Sequence, residues 1–89
     1  MGEEDLQASE LIEYIATEVI RRPGSILTAH TPLVSSGLID SFALVDILSK
    51  LEDVTNTRIS PGKVQPKDMD TVSLMLATAK RIGKPRKSP

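Results

Sequence analysis

Gly37-Leu38-Ile39-Asp40-Ser41-Phe42 separates an irregular stretch of this chain from a strongly periodic one. From Asp40-Ser41 to about Val54, Leu44, Ile47, Leu48 and Leu51 recur at helical spacing. That spacing puts one apolar stripe on a helix facing a core. Asp and Ser are both favoured at helix starts, because a side-chain oxygen can take an unpaired amide of the first turn. Gly37 supplies the backbone freedom to turn tightly into such a helix. Phe42, Val45 and Ser49 form a second line at helical spacing, displaced from the first. A helix apolar on more than one side is either deeply buried or has a partner to meet.

Upstream, Pro23 to Asp40 has no sustained periodicity and holds Pro23, Gly24, Pro32 and Gly37 among several Ser and Thr. A connection of that length inside a small domain is unusual and is often functional. Ile26, Leu33, Val34, Leu38 and Ile39 are its apolar residues, and parts of it are expected to pack onto the core. Before it, Ala8, Ile12, Ile15 and Val19 mark a first helix from about Asp5 to Arg21. Acidic Glu3, Glu4 and Asp5 precede that helix and Arg21 and Arg22 close it, matching its dipole, with Pro23-Gly24 as the stop.

Downstream, Asn56 to Met69 is irregular, with Ile59 and Val64 as core plugs and Pro61-Gly62 as a turn. Pro66 opens a single helical turn through Met69. Asp70 or Thr71 caps a last helix to about Ile82, with Val72, Met75, Leu76, Ala79 and Ile82 toward the core. Gly83 and Pro85 end it. No strand pattern is visible. The fold class that follows is all-α: three main helices plus one short one, with a long loop between the first two. Residues 1–83 make the domain, and 84–89 are a basic, disordered tail.

The bulk numbers exclude much. Eighty-nine residues form one small domain. A core of this size is worth about 3–5 kcal/mol of stability. Tyr14 and Phe42 are the sole aromatics, so aliphatic side chains build that core. Cysteine is absent, which removes disulfides, thiolate nucleophiles and cysteine-bound metals. His30 is the single histidine, too few for a histidine zinc site or a Ser-His-Asp triad. It is expected in solvent, with Ser35 and Ser36 as plain turn residues. A net charge of −1 does not point to nucleic acid. No apolar run approaches the ~20 residues of a membrane span, and no secretory leader pattern follows the start. A cytoplasmic monomer is expected.

The placed Gly37-x-x-Asp40-Ser41 followed by apolar Phe42 resembles the hallmark of the phosphopantetheine-binding carrier family. That family includes acyl, peptidyl and D-alanyl carrier proteins. The resemblance extends through the first helix, the long loop, Ile59 in the following connection, and Pro66-Lys67-Asp68-Met69-Asp70-Thr71-Val72. It implies a small four-helix acyl-carrier-type bundle with 4′-phosphopantetheine, taken from coenzyme A, on Ser41. It implies that Asp40 helps a phosphopantetheinyl transferase dock. Partners would be that transferase and an acyl or aminoacyl ligase or synthase. They would meet Phe42, Val45 and Ser49, with Asp46, Glu52 and Asp53 supplying negative charge. An acyl or aminoacyl cargo would be held as a thioester on the arm's thiol.

Ser41 has physical reasons to suit that use. The first residue of a helix projects into solvent, and a phosphodiester there would lie beside unpaired amides and the positive end of the dipole. Helix capping and attachment are compatible roles for one residue. No base beside His30 stands available to make Ser41 a catalyst, so a carrier rather than an enzyme is expected. Ala43, Ser49 and Thr55 depart from the fatty acid carriers, and the wording of the motif looks more like carriers of dedicated pathways. The alternative from another class is an unmodified helical adaptor that kept the carrier fold.

Overall fold

The computed structural model describes residues 2–22 and 26–86. Helix α1 spans Glu3–Tyr14 and widens into a π-helical stretch over Ile15–Val19. Helix α2 spans Ala43–Thr55. A two-residue strand β1, Thr57–Arg58, follows, and then 3₁₀ turns at Pro61–Lys63 and Pro66–Met69. Helix α3 spans Val72–Ile82 and leads into strand β2, Lys84–Pro85. Three main helices with short extra turns therefore make the bundle, as the sequence pattern implies.

The core is aliphatic. Leu11 and Ile15 from α1 meet Ile47, Leu48 and Leu51 from α2, and Val72, Met75, Leu76 and Ala79 from α3. Ile59 and Met69 from the α2–α3 connection fill the same cluster. Each helix thus buries one stripe, and burying such side chains is the main favourable term in folding. Thr78 lies among them and donates to the carbonyl of Asp68 at 3.2 Å, so its hydroxyl is satisfied where it is buried. Thr71, not Asp70, caps α3, its Oγ1 accepting from the amide of Leu74 at 3.0 Å.

Three expectations need correction. The first helix does not run as a regular α-helix to Arg21. The Ile20 amide bonds to the Ile15 carbonyl at 2.8 Å and that of Arg22 to Ala16 at 2.9 Å, while Arg21 takes a left-handed φ of 60°. Thr17 Oγ1 also donates to the carbonyl of Glu13 at 2.7 Å, a local competitor that bends helices. The expected stop at Pro23-Gly24 lies outside the described residues. Parts of the loop that follows pack onto the core, as expected, with Ile26 left 94% exposed. Leu38 is exposed as well, whereas Leu33 and Ile39 are buried and Val34 is half-buried.

Second, strands do form, because short β pairing needs no alternating pattern when tertiary structure holds it. Thr57 pairs with Pro85 and Arg58 with Lys84, antiparallel. Third, order therefore extends beyond residue 83. Arg86 donates from Nε to the carbonyl of Thr57 at 3.1 Å, and its guanidinium meets Asp53 at 3.0 Å. Residues 87–89 of the expected tail lie outside the described residues.

Gly83 makes the turn from α3 into β2. A Cβ there would run into the Ala79 carbonyl and lie 3.0 Å from Thr57 Oγ1. We expect Gly83→Ala to destabilise the domain by about 1–3 kcal/mol through that crowding, read as a lower urea midpoint at unchanged slope. An unchanged midpoint would show that the turn can give way.

Candidate functional site

The α1–α2 connection is built to deliver Ser41 at a helix start. The Gly37 amide bonds to the Val34 carbonyl at 3.1 Å, and the Ile39 amide to the Leu33 carbonyl at 3.1 Å. Buried Leu33 and Ile39 anchor this turn to the core. Gly37 has a φ of 82°, in the left-handed region where a Cβ is disfavoured. Ser36 Oγ donates to the Pro32 carbonyl at 2.7 Å and takes the Leu38 amide at 3.4 Å. The turn is thus fixed on both sides of the glycine, and Ser36 has the turn role read from the sequence.

Asp40 is the physical cap of the incoming helix. Its Oδ1 accepts from the amide of Ala43 at 3.0 Å, three residues on. Ser41 and Phe42 then form a tight entry turn, with the Leu44 amide on the Ser41 carbonyl and the Val45 amide on the Phe42 carbonyl, both at 3.3 Å. Among the described residues, no hydrogen bond takes the amides of Ser41 and Phe42. They are the unpaired donors that every helix start carries. Ser41 itself is exposed. The cap falls on Asp40, which leaves the neighbouring serine hydroxyl without a capping bond.

The second line on α2 is exposed. Phe42 is 86% and Val45 71% accessible, which rules out their completing the core. Ser49 and Asp46 are exposed beside them. The two remaining acids of the expected face are engaged within the chain. Glu52 Oε2 accepts from the amide of Ile59 at 2.8 Å, and Asp53 pairs with Arg86. Glu52 is half-buried and fixes the turn after α2. On the neighbouring side, Lys50 lies over the Tyr14 ring at 5.6 Å. Partial burial, with Asp46 and Glu18 nearby, holds the Tyr14 hydroxyl above its ordinary pKa.

Beside Ser41 lies a shallow groove of about 200 Å³, walled by Leu44, Val45, Leu48, Val64, Pro66 and Met69. Its far wall is the connection between α2 and α3. That wall was not read as part of the site, because only the fold brings Val64 and Met69 opposite α2. A larger depression of about 450 Å³ near Glu4 and Lys80 shares no lining residue with this groove. His30 lies exposed in a turn whose amides are held by Thr28 and Thr31, and it is not among the groove's residues.

Residues 9–78 match the family model described as phosphopantetheine attachment site. The chain belongs to this carrier family. Among curated proteins, the probable acyl carrier protein PigG of Serratia sp. (strain ATCC 39006) is 30% identical over 74 residues, covering 83% of this chain and 85% of the relative. No solved structure matches at a significant level. The prosthetic group of the family is 4′-phosphopantetheine, and this chain's helical bundle is a carrier fold. None of its helices, among the described residues, is long and apolar enough to cross a membrane.

The carrier turn makes a sharp prediction at Gly37. A Cβ built there meets nothing within 4 Å, so only backbone strain opposes a side chain. Gly37→Ala should cost about 1–2 kcal/mol, and Gly37→Asn less, because Asn tolerates the left-handed region. Thermal unfolding of the two variants checks the order; equal losses would contradict it.

Proposed function

We propose that this chain is an acyl or aminoacyl carrier protein whose phosphopantetheine is attached to Ser41. The observation that carries the reading is the exposed serine hydroxyl at the start of α2, next to a cap formed by Asp40 and beside an apolar groove. The residues present fit the group. A phosphate on the serine oxygen would face the unpaired amides of the first turn and the positive end of the helix, where an anion gains about 0.3–1 kcal/mol. The groove offers apolar surface of the kind a carbon chain can lie against. The group supplies a terminal thiol, on which cargo is carried as a thioester.

In this reading the protein's own residues position and present. Asp40 caps the turn and offers a carboxylate to the docking phosphopantetheinyl transferase. Phe42, Val45 and Ser49 form the surface that partner ligases or synthases read, and Asp46 adds charge that can steer the approach. Glu52 and Asp53 keep their internal bonds and contribute negative potential from the edge of this surface. In this reading the chain itself catalyses nothing, and reaction chemistry belongs to the partners. Residues 1–83, with the β2 clip after them, act as one carrier domain in the cytoplasm.

Incubation with a promiscuous phosphopantetheinyl transferase and coenzyme A, followed by intact-protein mass, tests the attachment. Wild type should gain one phosphopantetheine group and Ser41→Ala none. No gain on wild type, or an equal gain on the variant, defeats the proposal. The partner surface has its own test. Because Phe42 is exposed, Phe42→Ala should change stability by less than about 0.5 kcal/mol while slowing cargo loading by the cognate ligase. A stability loss of several times that size would return Phe42 to a structural role.

A further inference from the structure

Leu33, Val34 and Ser35 point three successive amides at one acceptor, the carboxylate of Asp70. Asp70 Oδ1 accepts from Leu33 at 3.2 Å, from Val34 at 2.8 Å and from Ser35 at 2.9 Å. Asp70 Oδ2 takes the Ser35 hydroxyl at 2.8 Å. The Asp70 carbonyl also accepts from the Leu33 amide at 2.8 Å. Consecutive amides converging in this way form an anion-binding concavity, and here the anion is a side chain of the same protein. The Ser35 amide and hydroxyl, with the Val34 and Leu33 amides, hold the Asp70 carboxyl below its ordinary pKa.

This concavity is continuous with the start of α2. Val34 and Leu33, whose amides Asp70 holds, give their carbonyls to Gly37 and Ile39. Ser36, next in the chain, braces Leu38. Ile39 is buried and Asp40 caps the helix into which Ser41 leads. A second tie, from the Ser73 amide to the Ala29 carbonyl at 2.9 Å, fastens the earlier part of the loop to α3. Thr71 already caps α3, so Asp70 is not needed for that.

We propose that Asp70 is a positioning residue for attachment at Ser41. Its carboxylate sets the shape of the 33–37 turn and, through Gly37 and Ile39, the geometry in which the serine hydroxyl is offered to the transferase. The inference rests on the attachment reading above. In that reaction the Ser41 oxygen forms a bond to phosphorus of coenzyme A, the pyrophosphate bond breaks, and the nucleotide half leaves. The hydroxyl proton passes to a base of the transferase. Misplacing a reacting oxygen by about an ångström can cost on the order of a hundredfold in rate. The carboxylate matters here for its charge and its length: Asn can keep its oxygen on the three amides and its NH2 on the Ser35 hydroxyl, but it lacks the charge that strengthens such bonds, and a longer acid must shift to reach them.

The experiment compares wild type with Asp70→Asn, Asp70→Glu and Thr71→Ala in the transferase assay, following initial loading rates against carrier concentration. Helical circular dichroism and amide exchange are recorded on each. Asp70→Asn should keep its helices, exchange faster at Leu33 to Ile39, and load with kcat/KM lower by about tenfold. Asp70→Glu should recover part of the loss. Thr71→Ala removes the α3 cap without touching the concavity and should load within about twofold of wild type. Loading of folded Asp70→Asn at the wild-type rate overturns the inference, as does an equal loss in Thr71→Ala. If Asp70→Asn does not fold, Ser35→Ala, which removes only one of the bonds, must lower kcat/KM by roughly twofold, and an unchanged rate overturns the inference. Failure of wild type to load defeats the attachment reading itself, and is thereby distinguished from these outcomes.

Discussion

Leu33 must satisfy two demands at once, and the rest of the site follows from how it does so. Its side chain is buried in the core, while its amide lies in a segment with no helix or strand to supply an acceptor. A buried amide left unpaired is costly, of the order of 1–3 kcal/mol. The start of α3 supplies the acceptor through Asp70. Docking the long loop on α3 therefore solves a solvation problem as well as a packing one. With Leu33 fixed, Gly37 and Ile39 are tied to the same turn, and α2 enters the bundle at a defined point.

Helix α2 then divides its surface between two tasks. Ile47, Leu48 and Leu51 are buried against α1 and α3. Phe42, Val45 and Ser49 lie on another side and remain in solvent. Large exposed apolar residues cost solubility unless something covers them, so their clustering next to Ser41 is informative. The acids divide in the same way: Asp46 remains exposed on this surface, whereas Glu52 and Asp53 are spent on holding the chain together after α2.

Much of this was legible in the sequence, and what was not has physical causes. The core stripes of α2 and α3 are local periodicities, and Val72 to Ala79 fall where the spacing puts them. The Asp40-Ser41 start was readable because capping chemistry involves residues three apart. The left-handed Gly37 was readable because few other residues accept that φ. The π-helical end of α1 was hidden, because a slip in hydrogen bonding leaves the apolar spacing nearly unchanged. Which apolar residues of the loop stay out, as Ile26 does, was not legible, because hydrophobicity is only a tendency to be buried. Asp70 was seen as one of two possible caps. Its four bonds reach residues 35 to 37 positions away, and no local pattern announces such a contact. The pairing of β1 with β2 and the far wall of the groove were invisible for the same reason.

That separation along the chain has a consequence for synthesis and folding. Leu33 and Asp70 are 37 positions apart, so the loop cannot take its final shape while the α3 segment is still missing. Closing such a span carries an entropic cost that local helices do not bear. The α1 and α2 segments can coil early, yet the turn ahead of Ser41 waits for a residue that emerges late. A nascent or truncated chain would hold the serine without its proper setting. With the positioning role proposed for Asp70, the serine is offered in full only by a protein that has finished folding.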